Sequence, residues 1–183
     1  MSEENQKPSA LRRMNEQWLR SRSGDSAAPP VLVADDSEAD IYFLLRAFEK
    51  SGVRNKIFVT RSGQETLDFL CGTGKYADRL LYPSPKIIFL DLYMPVVNGF
   101  DVLRWKANHP EYKTALCVAL SNSDRLKDIN YAYELGASTF LSKPLERGEI
   151  VNLLEAYQDY WSTHSGDTEV QERESSEQDP FGS

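Results

Sequence analysis

A doubly wound α/β fold, five parallel strands covered by helices on both faces, is predicted by three features of the sequence. Between residues 30 and 161, short apolar runs alternate with segments of helical period. Five such pairs follow one another, and parallel crossovers need covering helices and turn right-handed. The central run, Ile87-Ile88-Phe89-Leu90, is continuously apolar. That is how a strand buried on both faces reads.

Taken in order, Val31–Ala34 is the first strand. Ser37 caps a helix running to about Lys50, with Ile41, Leu44, Leu45 and Phe48 on one face and Gly52 as its stop. Lys56–Thr60 is the second strand and Ser62–Cys71 the second helix, with Thr66, Leu67 and Leu70 inward. A longer connection rich in turn residues, Gly72 to Pro85, leads to the third strand. The third helix runs from Asn98 to about Ala107 and breaks near His109-Pro110. Thr114–Leu120 is the fourth strand, Asp124–Leu135 the fourth helix, and Gly136 ends it. Thr139–Ser142 is a short fifth strand. Arg147–Trp161 is the last helix, with Ile150, Leu153, Leu154, Tyr157 and Trp161 on one side.

The flanks differ from this body. Residues 1–29 read as a flexible N-terminal extension in which Leu11, Met14 and Trp18 fall at helical spacing, followed by a linker rich in Ser, Gly and Pro. A helix that short is marginal alone. Residues 162–183 carry six acidic residues against Arg173, with Val170 and Phe181 the only large apolar residues. Such composition predicts a disordered acidic tail.

The 183 residues suffice for one domain plus these tails, and the net charge of −7 argues against nucleic acid as a partner. No apolar run reaches membrane-spanning length, and MSEENQKPSA lacks the apolar core of a signal peptide. Cys71 and Cys117 have no metal-like spacing and sit among apolar residues. Two buried free thiols in a reducing compartment, the cytoplasm, are the expectation.

Chemistry concentrates where the strands end. Asp35-Asp36 follows the first strand, Asp91 the third, Ser121 the fourth and Lys143-Pro144 the fifth. In an open parallel sheet these loops share one edge. Three converging carboxylates need a proton or a cation between them, and clustered oxygen ligands suit Mg²⁺. A carboxylate beside Mg²⁺ and an ammonium is equipped to attack a phosphoryl donor. A hydroxyl and an ammonium can then bind the phosphoryl oxygens.

These residues, read as Asp35-Asp36, Asp91-x-x-Met94-Pro95-x-x-x-Gly99, Ser121 and Phe140-x-x-Lys143-Pro144, resemble the receiver domains of two-component response regulators, the CheY-like superfamily. The resemblance spans Val31 to Trp161 and sets the receiver domain at residues 30–161. It implies a flavodoxin-like (βα)₅ fold with strand order 2-1-3-4-5 and a single phosphorylated aspartate, Asp91. It further implies Mg²⁺ held by Asp36, Asp91 and the Tyr93 carbonyl, with Asp35 sharing in ligation or holding a metal-bound water. Ser121 would move toward the phosphoryl group, Phe140 would turn inward behind it, and Lys143 would pair with the phosphoryl group or, without one, with Asp91. The stretch around Asp40, the run Phe69-Leu70-x-Gly72-x-Gly74-x-Tyr76, and Trp161 are similar to single-domain regulators that serve bacterial phytochrome kinases.

Three positions flank the expected acceptor: Tyr93, Asn122 and Ser123. In the family the residues at Tyr93 and Ser123 border the path of hydrolytic water, so a bulky Tyr93 implies slow self-dephosphorylation. Asn122 would narrow access for phosphodonors. With only a 22-residue acidic tail after Trp161, the expectation is a stand-alone regulator rather than an enzyme. Its partners would be a sensor histidine kinase and a downstream protein or phosphotransfer domain. The expected interface, also a candidate homodimer surface, holds Tyr131, Tyr133, Phe140, Tyr157 and Tyr160, with exposed aromatics of the kind found at interfaces. Two alternatives remain. One is a receiver-like scaffold that takes no phosphate. The other is an aspartyl-phosphate phosphatase, whose acceptor is normally followed two residues later by an acid where Tyr93 stands here.

Overall fold

Every predicted strand is present in the computed structural model, which describes residues 9–21, 28–157 and 160, without the side chains of Trp18, Ser21 and Arg147. The strands are β1 (Val31–Ala34), β2 (Ile57–Thr60), β3 (Ile87–Asp91), β4 (Leu116–Ser121) and β5 (Thr139–Ser142). They form one parallel sheet in the order β2-β1-β3-β4-β5. The helices are α1 (Ala10–Ser21), α2 (Glu38–Lys50), α3 (Gly63–Cys71), α4 (Gly99–Ala107), α5 (Leu126–Glu134) and α6 (Arg147–Ala156). No helix among the described residues is long and apolar enough to cross a membrane.

Alternation along the strands divides the core into two layers. Leu32, Ala34, Ile88, Leu90, Cys117 and Ala119 face a layer containing Phe69, Leu70, Val102, Leu103 and Ala132, from α3, α4 and α5. Val31, Val33, Ile87, Phe89, Val118 and Leu120 face Ile41, Leu44, Leu45, Phe48, Ile150 and Leu153, from α2 and α6. The caps agree with the sequence: Ser37 Oγ accepts from Asp40 N, Ser62 Oγ from Glu65 N, and Asn98 closes a capping box with Asp101.

The differences have local causes. Strand β4 starts at Leu116, not Thr114, because the turn after Pro110–Tyr112 persists, with Ala115 N donating to Tyr112 O at 3.1 Å. It also extends to Ser121, which registers against Ser142. Helix α5 begins at Leu126 because Arg125 adopts the extended cap geometry. Helix α6 ends at Ala156, short of the predicted Trp161, which lies outside the described residues together with the acidic tail 162–183. Cys71 is exposed at the end of α3, contrary to the expectation of two buried thiols. Cys117 is buried, which pushes its thiol up to about 12.

Part of the extension expected to be flexible packs on the domain. Helix α1 lies against α2, with Leu19 on the α2/α6 layer and Asn15 only 1% exposed. Asn15 Nδ2 donates to the Glu38 carbonyl at 3.1 Å and to Glu38 Oε2 at 2.9 Å. The inward stripe is therefore built on Asn15 and Leu19, and Met14, predicted on the apolar face, is exposed. Arg61 donates to the same Glu38 carboxylate at 2.6 Å, so α1, α2 and the β2–α3 turn share one polar knot. Packing supplies what a helix of this length lacks alone.

Among the described residues, one non-glycine residue has a left-handed backbone. Val96, in the β3–α4 loop, has φ 68° and points fully into solvent. A β-branched side chain in the left-handed region costs about 1–2 kcal/mol. Val96→Asn, placing there a residue that tolerates this conformation, is expected to raise stability by about 1 kcal/mol, read as a higher urea midpoint at unchanged slope.

Candidate functional site

The carboxyl ends of β1, β3, β4 and β5 bring the predicted residues to one edge of the sheet. Asp35 and Asp36 directly follow β1, Asp91 ends β3, Ser121 ends β4, and Lys143 follows β5. Strand β5 is fixed there by Lys143 N donating to Ser121 O at 2.8 Å, and the Lys143-Pro144 peptide is cis. One carboxylate oxygen from each of Asp35, Asp36 and Asp91 lies within 4.8 Å of the others. Asp35 and Asp91 are buried and Asp36 is exposed. An oxygen trio open on one side suits a hard divalent cation that keeps part of its water shell.

Backbone donors orient two of the three. Ser37 N donates to Asp35 Oδ1 at 2.9 Å, and Tyr93 N donates to Asp91 Oδ1 at 3.2 Å. The second oxygens face Lys143. Its Nζ stands 2.5 Å from Asp35 Oδ2 and 3.3 Å from Asp91 Oδ2. It also reaches a carboxylate outside the expected site, Asp40 Oδ2 at 3.1 Å. The expected pairing with Asp91 is thus the longest of three. The cause is α2, whose first turn carries Asp40 to the rim one helical turn after Asp36. Helical spacing from the acidic pair was the signal for it.

Burial pushes the Asp35 carboxyl up to about 6, with the hydrogen bonds from Lys143 and Ser37 acting against it. For Lys143, burial works toward the neutral amine, but Asp35, Asp91 and Asp40 outweigh it and leave the ammonium above its ordinary range. The lysine is therefore a fixed positive charge beside Asp91.

The wall over Asp91 is a hydrogen-bonded strap that the sequence did not disclose. Tyr93 Oη donates to Asp128 Oδ2 at 2.7 Å, and Ser123 Oγ donates to the same oxygen at 2.8 Å. Arg125 Nη2 donates to Tyr93 Oη at 3.0 Å, and its Nε donates to Asp128 Oδ2 at 2.9 Å. Hydrogen bonds from Tyr93 and Ser123, with Arg125 beside them, hold the Asp128 carboxyl below its usual range. The buried Ser121 hydroxyl is engaged by its own loop, accepting from Ser123 N at 2.9 Å. The loops after β3 and β4 are thereby tied across the mouth of the site.

Glycine makes the floor possible. Gly99 opens α4 and donates to the Leu92 carbonyl at 3.1 Å. A Cβ there would lie 2.7 Å from Leu92 Cα and would overlap the Asp91 carbonyl. The last residue of the Asp91–Gly99 motif thus lets α4 close against the backbone of Asp91 and Leu92.

The five aromatics of the expected interface divide between the two faces of the sheet. Tyr131 and Tyr133 are exposed on α5, where Tyr131 meets the Phe100 ring at 5.3 Å and accepts from Arg104 Nη2 at 2.9 Å. Half-buried Phe140 packs on the α3/α4/α5 layer. Tyr157 and Tyr160 pack against the α2/α6 layer, with Tyr160 O accepting from Asn55 Nδ2 at 2.9 Å.

Comparison with known proteins adds the lineage. Residues 31–155 match the family model described as the response regulator receiver domain. The response regulator Rcp1 of Synechocystis sp. is 27% identical over 139 residues, 75% of this chain and 92% of Rcp1. The structure of Rcp1 in its Mn²⁺-bound form, 26% identical over 71% of this chain and 94% of that one, superposes with a TM-score of 0.62. RPA3017, a response regulator in red light signalling of R. palustris, is 31% identical over 74% of this chain and 97% of its own, TM-score 0.66. The bacteriophytochrome response regulator AtBRR is 31% identical over 75% of this chain and 98% of its own, TM-score 0.65. Shared over nearly the whole folded body, the match makes this chain a member of the response regulator receiver domain family.

Proposed function

We propose that this protein is a stand-alone phosphorylation switch, with Asp91 as the acceptor and residues 30–161 as the working domain. The observation that carries the reading is the Lys143 ammonium held 3.3 Å from a buried Asp91 carboxylate that belongs to an acidic trio. An Asp91 oxygen attacks the phosphorus of a donor, the donor's leaving group departs with its electron pair, and an acyl phosphate results. Lys143 and the Ser121 hydroxyl are the groups at hand to bind the added phosphoryl oxygens. To reach them, Ser121 gives up the hydrogen bond from Ser123 N, and Phe140 turns into the space behind it.

Asp35, Asp36, Asp91 and the Tyr93 carbonyl are the ligands we assign to Mg²⁺, which supplies charge neutralisation for the transferring group. The donor set and the Mn²⁺-bound form of Rcp1 support a divalent cation. The natural donor in this reading is a sensor histidine kinase in the cytoplasm. A phytochrome-type kinase is favoured by the likeness to RPA3017, a regulator in red light signalling, and to AtBRR, a bacteriophytochrome response regulator. The output would be a protein contact that depends on phosphorylation. Tyr131 and Tyr133 on α5 are the exposed members of the expected surface, which would also serve a homodimer.

Intact mass after incubation with acetyl phosphate and Mg²⁺ tests the reading, wild type beside Asp91→Asn. A gain of one phosphoryl unit in the wild type alone is expected. No gain by a folded wild type would sink the switch.

Tyr93 is expected to prolong the phosphorylated state, because the strap to Asp128 and Arg125 holds its ring at the mouth of the site. Tyr93→Asn should shorten the acyl-phosphate lifetime on the order of tenfold, equivalent to about 1.4 kcal/mol in the barrier to water attack. The decay of the phosphorylated mass with time checks this, and an unchanged lifetime would refute it.

A further inference from the structure

Lys143 has one carboxylate partner that does not belong to the acidic trio. Its side chain is 4% exposed and contacts three acids, of which Asp35 and Asp91 belong to the trio and Asp40 does not. Asp40 is also the most accessible of the three, at 33% side-chain exposure. It is seated on the first turn of α2, where its backbone N donates to Ser37 Oγ at 3.3 Å and the helix terminus favours its negative charge. Phe43, Leu44, Leu120 and Leu145 line the pocket around the pair and strengthen electrostatic attraction there.

These contacts pose a conflict. A divalent cation on Asp35, Asp36 and Asp91 takes over two of the oxygens' parent carboxylates that hold the ammonium, and it repels the ammonium itself. Lys143 is buried, so it cannot simply retreat into water. We propose that Asp40 is a positioning residue for phosphoryl transfer, holding Lys143 in place when a divalent cation claims Asp35 and Asp91. The inference rests on the reading of Asp91 as acceptor. Asp40 retains a charge-assisted hydrogen bond to the lysine that the cation does not contest. It therefore lets cation and ammonium occupy the site together, as stabilising a phosphoryl group requires.

The test is a double-mutant cycle in Mg²⁺ affinity, measured by calorimetry on the full chain: wild type, Asp40→Asn, Lys143→Gln and the double variant. Asp40→Asn is isosteric, removes the charge and turns one acceptor oxygen into an N–H donor. It should weaken Mg²⁺ binding on the order of fivefold, because the lysine then competes harder for Asp35 and Asp91. In the Lys143→Gln background the same change should have less than about a twofold effect. Asp40→Glu should recover part of the loss. Equal weakening in both backgrounds would overturn the proposal, since Asp40 would then act as a remote charge and not through the lysine. No effect of Asp40→Asn would overturn it as well. The mass experiment separates the two claims. Failure of Asp91 to take a phosphoryl group sinks the switch, whereas the calorimetric cycle decides Asp40. A wild type that binds no Mg²⁺ refutes both.

Discussion

Gly99→Ala is expected to destabilise the protein by about 3 kcal/mol and to abolish phosphoryl uptake in whatever fraction stays folded. The added methyl would meet the Leu92 Cα at 2.7 Å and the Asp91 carbonyl carbon at 3.0 Å, all backbone atoms that cannot rotate away. Either α4 shifts outward, breaking the Gly99–Leu92 hydrogen bond, or the end of β3 moves and carries Asp91 with it. Both routes damage the site, because Asp91 is aligned with Lys143 by the same backbone. Urea unfolding gives the first number, and intact mass with acetyl phosphate gives the second. A variant of wild-type stability would show that α4 yields without cost. One that is destabilised yet phosphorylated normally would separate the floor of the site from its chemistry.

Lys143→Gln removes the positive charge that three acids share. Breaking a buried pair usually costs several kcal/mol, but burial already holds Asp35 at about 6, so it can take up a proton and limit the loss. A loss of about 2 kcal/mol at neutral pH without divalent cations is expected. Mg²⁺ should restore more stability to this variant than to the wild type, since the ion then meets unopposed carboxylates. On the proposed role of Lys143, uptake of phosphoryl should fall even with Mg²⁺ saturating, because the cation would replace the lysine's charge and not the hydrogen bond proposed to the phosphoryl oxygens. Melting curves with and without Mg²⁺ resolve the point. Equal Mg²⁺ stabilisation of the two proteins would contradict it.

Much of the architecture was legible because strands buried on both faces have little freedom of composition. Ile87 to Leu90 could hardly sit elsewhere than in the middle, and β3 is flanked by β1 and β4. The helices with strong caps, at Ser37, Ser62 and Asn98, begin where their side chains reach back to the backbone. The ends without such a signal moved: α5 starts late, and α6 stops at Ala156. The site was legible as far as each residue closed a strand. What escaped depended on long side chains reaching between elements. The Tyr93–Asp128 contact joins residues 35 apart, and nothing in the local pattern of either marks the other. Asp40 escaped for a subtler reason, since a helical first turn explains an acid there without reference to any lysine. In α1, periodicity found the helix but not its inward stripe, because a buried Asn15 with two hydrogen bonds outranked the apolar residues beside it.

The placement of α1 changes what the outer surface of the domain presents beside the site. The matched family span begins at residue 31, yet the outer surface over α2 is furnished by residues 10–21. Met14 is exposed there, and the Arg20 side chain is 80% exposed. That flank carries Arg12, Arg13 and Arg20 against Glu16, so the surface beside the acidic edge is basic where α1 covers α2. A substitution on the outer face of α1 can therefore change the charge of this flank without touching any of Asp35, Asp36, Asp91, Ser121 or Lys143.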